Sequence, residues 1–220
     1  MEIVQAIMPV TCYNNESTKK TQIVIHHTAG SYRPDFSIHG WVTENNRVGA
    51  HFCIGGLASN GDKSFDGKIY QAVPQAKYVY HLGIKGAEND HELHDKSSIG
   101  IELCNWGALT KTATGEYINY VHQQVPASQV VDLGAPFRGS RYYHAYTDAQ
   151  LQALAVLIPA LVKSNGIVLE KGRKFTVADF AKDIPTFSKK AVAFHVNYRL
   201  DKWDCSCQPK LIQLLDQLHA

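Results

Sequence analysis

The sequence contains no apolar run long enough to span a membrane, and its first five residues lack the basic start of a signal peptide. It also lacks an excess of one charge: 22 Lys and Arg residues stand against 20 Asp and Glu residues, which does not suggest a nucleic acid partner. The five cysteines are an odd number and widely spread, which argues against a disulfide framework. We therefore expect mostly reduced thiols, with one bridge still open.

The composition is that of a folded protein with a sizeable core, because 45% of the 220 residues are hydrophobic. We expect a single domain over residues 1–220. Thr147 and Gln150 have the spacing of a capping box, and leucines at helical period follow them, which predicts a helix. A final amphipathic helix is predicted to begin at Gln208-Pro209.

Other stretches predict less regular structure. Ser37 is a candidate N-cap for a short helix to about residue 46. Residues 83–96 are charged and include His91 and His94, which lack the spacing of a helical zinc motif, so we predict an exposed loop. Residues 106–145 form a long irregular segment with a hairpin near residues 117–121, and loops of this length are usually functional.

Two predicted strands end in histidine, and a third carries an acidic residue among apolar ones. Residues 23–25 lead into His26 and His27, and residues 191–194 lead into His195. Glu102 lies within the apolar run 98–104, where a carboxylate is costly unless it is paired or lines a pocket. Each of these residues taken alone also suits a structural role.

Together these residues suit a zinc hydrolase. Catalytic zinc usually takes three protein ligands and leaves a fourth position for water. Two neutral imidazoles and one carboxylate leave a residual charge of about +1, which makes a bound water more acidic. A separate carboxylate can then accept the water proton, and a lysine can stabilise the developing oxyanion. The segment 202–207, Lys-Trp-Asp-Cys-Ser-Cys, and Glu102 offer candidates for these roles.

Several motifs in order resemble the zinc-dependent N-acetylmuramoyl-L-alanine amidases: IVIHHTAG, AHFCI, SIGIELCN, YTDAQLQALAVLI, and the stretch from His195 to KWD. That family includes phage endolysins and cell-wall recycling amidases, and it shares its fold with the peptidoglycan recognition proteins. The resemblance covers about residues 21–210. It implies an α/β fold with a central mixed sheet flanked by helices, and cleavage of the amide between the muramyl lactyl group and L-alanine of peptidoglycan.

The resemblance also implies roles for individual residues. His26, His195 and Asp204 correspond to the family's zinc ligands. Glu102 resembles the general base of the carboxylate-bearing members, and Lys202 corresponds to the catalytic lysine.

Four further residues, His27, Thr28, His51 and His81, are expected to bind substrate in the pocket. Some phage members carry a catalytic tyrosine just before the histidine of the second strand, but this chain has Ala50 there. That departure shifts the role of the base further onto Glu102. The long segment 106–146 is a second departure, and we expect it to form one wall of the substrate groove.

Alternatives remain open on the sequence alone. Cys205 competes with Asp204 as the third ligand because thiolate binds zinc strongly, although the offset from Lys202 favours Asp204. A cysteine hydrolase using Cys104 or Cys205 with a histidine is another interpretation, and a module that binds peptidoglycan without cutting it is a third.

The biological role is open between two settings. The sequence suits an endolysin that is cytoplasmic until its release to the cell wall, and it suits a cytoplasmic enzyme that recycles small muropeptides. In both settings we expect a monomer that requires Zn²⁺ and binds peptidoglycan or muropeptides. We expect it neither to insert into a membrane nor to bind nucleic acid.

Overall fold

The computed structural model describes residues 2–84 and 91–220. Within these residues the strands are β1 (Ile3–Gln5), β2 (Gln22–His27), β3 (Phe52–Ile54), β4 (Ile69–Gln71), β5 (Ser98–Leu103), β6 (Ala108–Lys111), β7 (Tyr117–Ile118), β8 (Gln124–Val125), β9 (Val130–Phe137), β10 (Ser140–His144) and β11 (Val192–Phe194). The α-helices are α1 (Pro34–Glu44), α2 (His91–Ser97), α3 (Asp148–Asn165), α4 (Ile184–Phe187) and α5 (Pro209–Leu218). Short 3₁₀ helices cover Val10–Cys12, Ala127–Gln129, Val177–Phe180 and His195–Asn197.

The central sheet has six strands in the order β1-β4-β3-β5-β2-β11. Strand β2 pairs in parallel with β5 and β11, whereas β3 and β4 are antiparallel, so the sheet is mixed as predicted. All six residues of β2 are buried, as expected for an apolar strand with neighbours on both edges and layers on both faces. The predicted strand is therefore an inner strand of the sheet, between β5 and the edge strand β11.

The two faces of β2 serve different purposes because successive side chains point to opposite sides. Ile23 and Ile25 belong to the large core that includes α3 and α5. Val24 belongs to a separate cluster with Leu82 and Tyr198. By this alternation, His26 lies on the Val24 face and His27 on the Ile25 face.

The segment 106–146 forms a second sheet, which corrects the prediction of an irregular segment. Five antiparallel strands are arranged in the order β8-β7-β6-β10-β9, and the predicted hairpin is the pair β7 and β8. Two of these strands have only two residues, and much of β9 is exposed, so the sequence lacks a clear alternation of apolar and polar residues.

The helix predicted after Thr147 is α3, and its capping box is present. The Thr147 hydroxyl accepts from Gln150 N at 3.0 Å, and Gln150 Oε1 accepts from Thr147 N at 3.2 Å. The first helix differs from the prediction, because α1 begins at Pro34 and has Arg33, not Ser37, at its N-cap. Proline suits the first helical position, where its missing N–H would have no helical partner anyway.

The predicted loop over residues 83–96 is partly helical, since its last six residues belong to α2. Residues 85–90 of that stretch lie outside the described residues. Glu92 and Lys96 are four residues apart in α2 and 3.8 Å from each other, a pair that supports a short helix. No helix among the described residues has the length and hydrophobicity to cross a membrane. All five cysteines are free thiols.

Candidate metal centre and active site

Three side chains predicted as ligands converge at the end of β2 and the loop after β11. The ligand atoms of His26, His195 and Asp204 all lie within 4.8 Å of one another, and all three residues are buried. Asp204 Oδ2 is 3.3 Å from His26 Nδ1 and 2.9 Å from His195 Nδ1. Because β11 pairs with β2 in parallel, the residue after Phe194 comes beside the residue after Ile25, which brings the two histidines together.

Hydrogen bonds determine which nitrogen of His195 is free. Its Nε2 lies 2.8 Å from the Leu82 carbonyl oxygen. A carbonyl oxygen can only accept, so Nε2 carries the proton, and the neutral ring therefore directs the Nδ1 lone pair at Asp204. A metal-ligating histidine typically has its other nitrogen held in this way.

A chain of hydrogen bonds leads to the same conclusion for His26. The Ser98 hydroxyl donates to the His94 carbonyl at 2.6 Å, so Ser98 Oγ accepts from His81 Nε2 at 2.8 Å. Neutral His81 then has a bare Nδ1, which accepts from His26 Nε2 at 2.9 Å. This leaves the Nδ1 lone pair of His26 facing Asp204.

The electrostatics of the three residues suit a cation. Burial, reinforced by the proximity of the His195 ring, lowers the pKa of His26 to about 4, so the imidazole is neutral near pH 7. Burial alone would raise the pKa of Asp204, but its electrostatic interaction with His195 and its contacts with both histidines outweigh burial and hold that pKa well below its usual range. Two imidazole lone pairs and a carboxylate in contact require a shared proton or a metal ion between them. These donors fit a zinc ion, which takes nitrogen and oxygen ligands.

Glu102 lies beside the three ligands, as the strand register requires. It is the in-register partner of His26 across the parallel pair β2 and β5. Its Oε2 is buried and has no hydrogen-bond partner among the described residues. Burial, together with the charge of Asp204, raises the pKa of Glu102 well above its usual value, whereas the charge of Lys202 lowers it. A buried carboxylate oxygen without a partner next to a cation site is suited to accept a proton from water or substrate.

His27 lies on the other face of β2 and borders a groove that also contains Trp203 and residues of the second sheet. Its Nδ1 is 2.9 Å from the Tyr146 hydroxyl, which in turn accepts from Ser206 N at 3.2 Å. None of the described residues hydrogen-bonds its Nε2. A Cβ built on Gly107 would lie 2.5 Å from that Nε2, so glycine at this position keeps the space in front of the nitrogen free.

The family model described as N-acetylmuramoyl-L-alanine amidase matches residues 16–191, which is more than half of the chain. This chain belongs to the N-acetylmuramoyl-L-alanine amidase family. The family predicted from the motifs is thereby confirmed. The match includes His26 and Glu102 and ends before His195, Lys202 and Asp204, and the tertiary structure brings His195 and Asp204 to the same site as the first histidine.

Solved structures are similar to the chain over nearly its whole length. PlyL is 13% identical with a TM-score of 0.54, and the match covers 98% of this chain and 97% of that one. A mutant of PlyL is 15% identical with a TM-score of 0.51, covering 93% and 87%. The catalytic domain of XlyA is 16% identical with a TM-score of 0.50, covering 100% and 97%. At these identities the likeness shows a shared fold alone, and it confirms the predicted fold class. No curated protein matches the chain by sequence.

Three of the four residues expected to bind substrate make hydrogen bonds within the protein instead of lining the groove beside His27. His51 is fully buried, and both ring nitrogens bond the backbone, at Lys77 O (2.9 Å) and Gly100 N (3.1 Å). His81 uses both nitrogens in the chain of hydrogen bonds behind His26. Thr28 Oγ1 accepts from Asn105 N at 3.2 Å and so joins the ends of β2 and β5. Of the four, only His27 lines the groove.

The cysteines do not form a nucleophilic site in the described part of the chain. Cys205 is fully buried and lies next to the Tyr146 hydroxyl, outside the group of ligand atoms. Burial raises the pKa of its thiol well above the usual value, which opposes the thiolate that either metal binding or catalysis would need. Cys104 Sγ lies 3.4 Å from Cys53 Sγ in the core, and no described histidine hydrogen-bonds it.

Several residues around the candidate metal centre were not predicted from the sequence. Ser98 begins the SIGIE motif, but its hydroxyl acts only through His81, and nothing in the sequence indicates this contact. Tyr146 begins the motif YTDAQLQALAVLI, yet its contact with His27 joins residues that are 119 positions apart in the sequence. Trp203 could have been predicted from the sequence, because it lies between Lys202 and Asp204, both of which were predicted to be functional.

Proposed function

We propose that this chain is a zinc-dependent enzyme that hydrolyses the amide bond between N-acetylmuramic acid and L-alanine in peptidoglycan. The observation that carries the proposal is the convergence of His26 Nδ1, His195 Nδ1 and Asp204 Oδ2, with the unpaired carboxylate oxygen of Glu102 in the neighbouring strand. Membership of the amidase family supplies the bond and the substrate class. We propose that residues 1–220 act as one amidase domain.

In this proposal His26, His195 and Asp204 hold the zinc ion. A bound zinc ion would supply Lewis-acid chemistry, polarising the substrate carbonyl and making a water molecule more acidic. Leu82 and His81 hold the two imidazole rings by their Nε2 atoms, so both Nδ1 lone pairs are aimed before any ion binds. Such prior orientation reduces the rearrangement that metal binding requires.

Glu102 is proposed as the base that accepts a proton from the attacking water and as the acid that returns it to the leaving amine. The raised pKa of Glu102 favours its protonated form, which suits the return of a proton to the leaving amine, and its unpaired Oε2 is the atom that would take the proton from water. Lys202 is proposed to stabilise the oxyanion that develops on the scissile carbonyl. Its charge already acts on Glu102, His26 and His27.

His27 is proposed to hold the substrate through Nε2. The Tyr146 hydroxyl fixes the ring at Nδ1, and Gly107 leaves space at Nε2. Burial lowers the pKa of His27 to about 4, so a neutral imidazole faces the groove near pH 7.

Digestion of purified peptidoglycan tests the proposal. The protein is used as isolated, after chelation, and after zinc is restored, and the products are identified by mass spectrometry. We expect free stem peptides beginning with alanine, which disappear on chelation and return with zinc. Glu102→Gln should lower turnover by about 10²- to 10⁴-fold and leave bound zinc unchanged. Glu44→Gln, which changes an exposed carboxylate, is the matched control. Full activity in Glu102→Gln, or cleavage that survives complete zinc removal, would contradict the mechanism.

Two forms of substrate distinguish the possible roles. Intact sacculi and soluble anhydro-muropeptides should be assayed side by side at equal concentrations of the scissile bond. Faster cleavage of sacculi would support an endolysin-like role, and faster cleavage of soluble fragments would support recycling. If zinc binds and neither substrate is cut, the proposed activity is wrong and a binding role replaces it.

A further inference from the structure

A groove beside the candidate metal centre is lined largely by aromatic and small residues. Its volume is about 450 Å³, within the range of about 300–1,000 Å³ typical of ligand sites. We call it the aromatic groove, and its lining residues are His27, Ala29, Trp106, Ala108, Leu109, Thr110, Tyr120, Pro136, Gly139, Ser140, Arg141, Tyr142 and Trp203. Most of them belong to β6, β10 and their connections, so the second sheet forms one wall. The sequence predicted a wall in this segment but not its chemistry.

Two aromatic side chains of the groove are unusually exposed for their size, and Trp106 is half-buried beside them. Tyr120 is 64% exposed and Trp203 is 51% exposed. Trp106 and Tyr120 meet edge to face, with ring centroids 6.2 Å apart. The Trp203 indole N–H donates to the Arg138 carbonyl at 3.0 Å, which fixes the orientation of that ring. Grouped, oriented aromatic surfaces left open to solvent mark a binding site more often than a defect of packing.

The charge of the groove favours a neutral ligand. Among the described residues that line it, Arg141 is the only one with a full charge, and its guanidinium is bonded to Asp132 at 2.6 and 2.7 Å. Arg141 therefore already binds one carboxylate through two parallel N–H groups. A stem peptide carries carboxylates, and no described residue of this lining offers them an unpaired positive charge. An N-acetylated sugar ring is uncharged and presents a face of C–H groups, which suits the negative face of an aromatic ring.

The groove also has the right position relative to the proposed reaction. His27 follows His26 in the chain, and Trp203 lies between Lys202 and Asp204. The metal ligands themselves do not line the groove, so its contents would lie next to the reacting atoms and not on them. The proposed scissile bond joins the lactyl group of a sugar to alanine, so that sugar must lie directly beside the metal centre.

We infer that the aromatic groove binds the glycan part of the substrate, with N-acetylated pyranose rings stacked on Trp106, Tyr120 and Trp203. This inference rests on the proposed function for the identity of the glycan. It makes the second sheet a glycan-binding wall, and it assigns the stem peptide to the other side of the metal centre. The enzyme would then bind peptidoglycan chains even where no stem peptide is attached.

The test is direct binding of a peptide-free glycan, a tetramer of N-acetylglucosamine, to the whole chain, measured by calorimetry and by tryptophan fluorescence. The chain has three tryptophans, two of them in the groove, so we expect the fluorescence to change on binding. Trp106→Ala and Tyr120→Ala should each weaken binding by about 3- to 10-fold, as expected for loss of one aromatic contact. Phe36→Ala removes an exposed aromatic side chain outside the groove and should leave binding unchanged.

A synthetic stem peptide beginning with alanine serves as competitor. We expect it not to displace the tetramer. The inference is overturned if the wild-type chain does not bind the tetramer, if the groove variants lose no more affinity than Phe36→Ala, or if the stem peptide displaces the sugar. Amide cleavage without tetramer binding would reject the glycan assignment alone, and tetramer binding without amide cleavage would reject the proposed activity alone.

Discussion

The chain of hydrogen bonds behind His26 makes a quantitative prediction about zinc affinity. Ser98→Ala removes the hydroxyl that accepts from His81 Nε2 at 2.8 Å. His81 can then carry its proton on Nδ1, and in that tautomer it no longer accepts from His26. His26 loses the contact that keeps its own proton on Nε2, so the lone pair at Nδ1 is no longer assured.

The size of the effect follows from the residues that remain. Loss of such an outer partner typically weakens metal binding by about 10- to 100-fold. In this site Asp95 Oδ1 lies 3.8 Å from the same His81 Nε2 and can take over part of the role of Ser98. We therefore expect the lower end of the range, a dissociation constant for zinc about tenfold higher, or about 1.4 kcal/mol.

The assay is competition for zinc with a chromophoric chelator, starting from metal-free protein. Ser97→Ala is the matched control, because Ser97 Oγ donates to the same His94 carbonyl at 3.3 Å but has no contact with His81. Denaturant unfolding of the metal-free variants checks that both remain folded. Equal zinc affinities in Ser98→Ala, Ser97→Ala and the wild type would refute the tautomer argument and leave His81 as a packing residue.

Three further predictions concern other parts of the molecule. Tyr146→Phe removes the hydroxyl that holds His27, and kcat/KM should fall by about 5- to 10-fold with zinc content unchanged; loss of zinc or no kinetic effect would contradict this role. Burial lowers the pKa of Lys20 from the ordinary 10.5 to about 7 in the folded chain. Between these two pH values the unfolded chain binds more protons than the folded chain, so the free energy of unfolding rises with pH in that range. Unfolding in denaturant at about pH 7.5 and about pH 9 should show this rise, up to about 1.4 kcal/mol per pH unit, and Lys20→Met should abolish it; equal slopes would reject the shift. Leu154→Ala, in the fully buried core beneath α3, should cost about 2–5 kcal/mol of unfolding free energy, and a smaller loss would mean that the core collapses around the gap.

Part of this site can be predicted from the sequence because its residues come with local patterns. The apolar run before His26 predicts a buried strand, and a buried strand holds its last side chains rigidly. The capping box at Thr147 and the leucines after it define α3 from a short stretch of sequence. The motif resemblance then identified the three candidate ligands and Glu102, which the register of β2 and β5 brings to the side of His26.

The remaining features depend on contacts between distant parts of the chain. The second sheet consists of short, half-exposed strands whose pattern is too weak to recognise, and its pairing gives the groove its wall. The roles of His51 and His81 could not be read from their positions, because a histidine in a strand or loop looks the same whether its nitrogens face substrate or backbone.

The sequence by itself determined the family, the central sheet and the candidate ligands, since each depends on residue types at fixed local spacing. Only the tertiary structure decided which nitrogen of His26 and His195 is free, that Cys205 lies apart from the group of ligand atoms, and that aromatic side chains line the neighbouring groove. These depend on directions and distances between residues far apart in the sequence, such as His195 and Leu82, which are separated by 113 positions. Hydrogen bonds of that span form only when the strands have taken their places in the sheet.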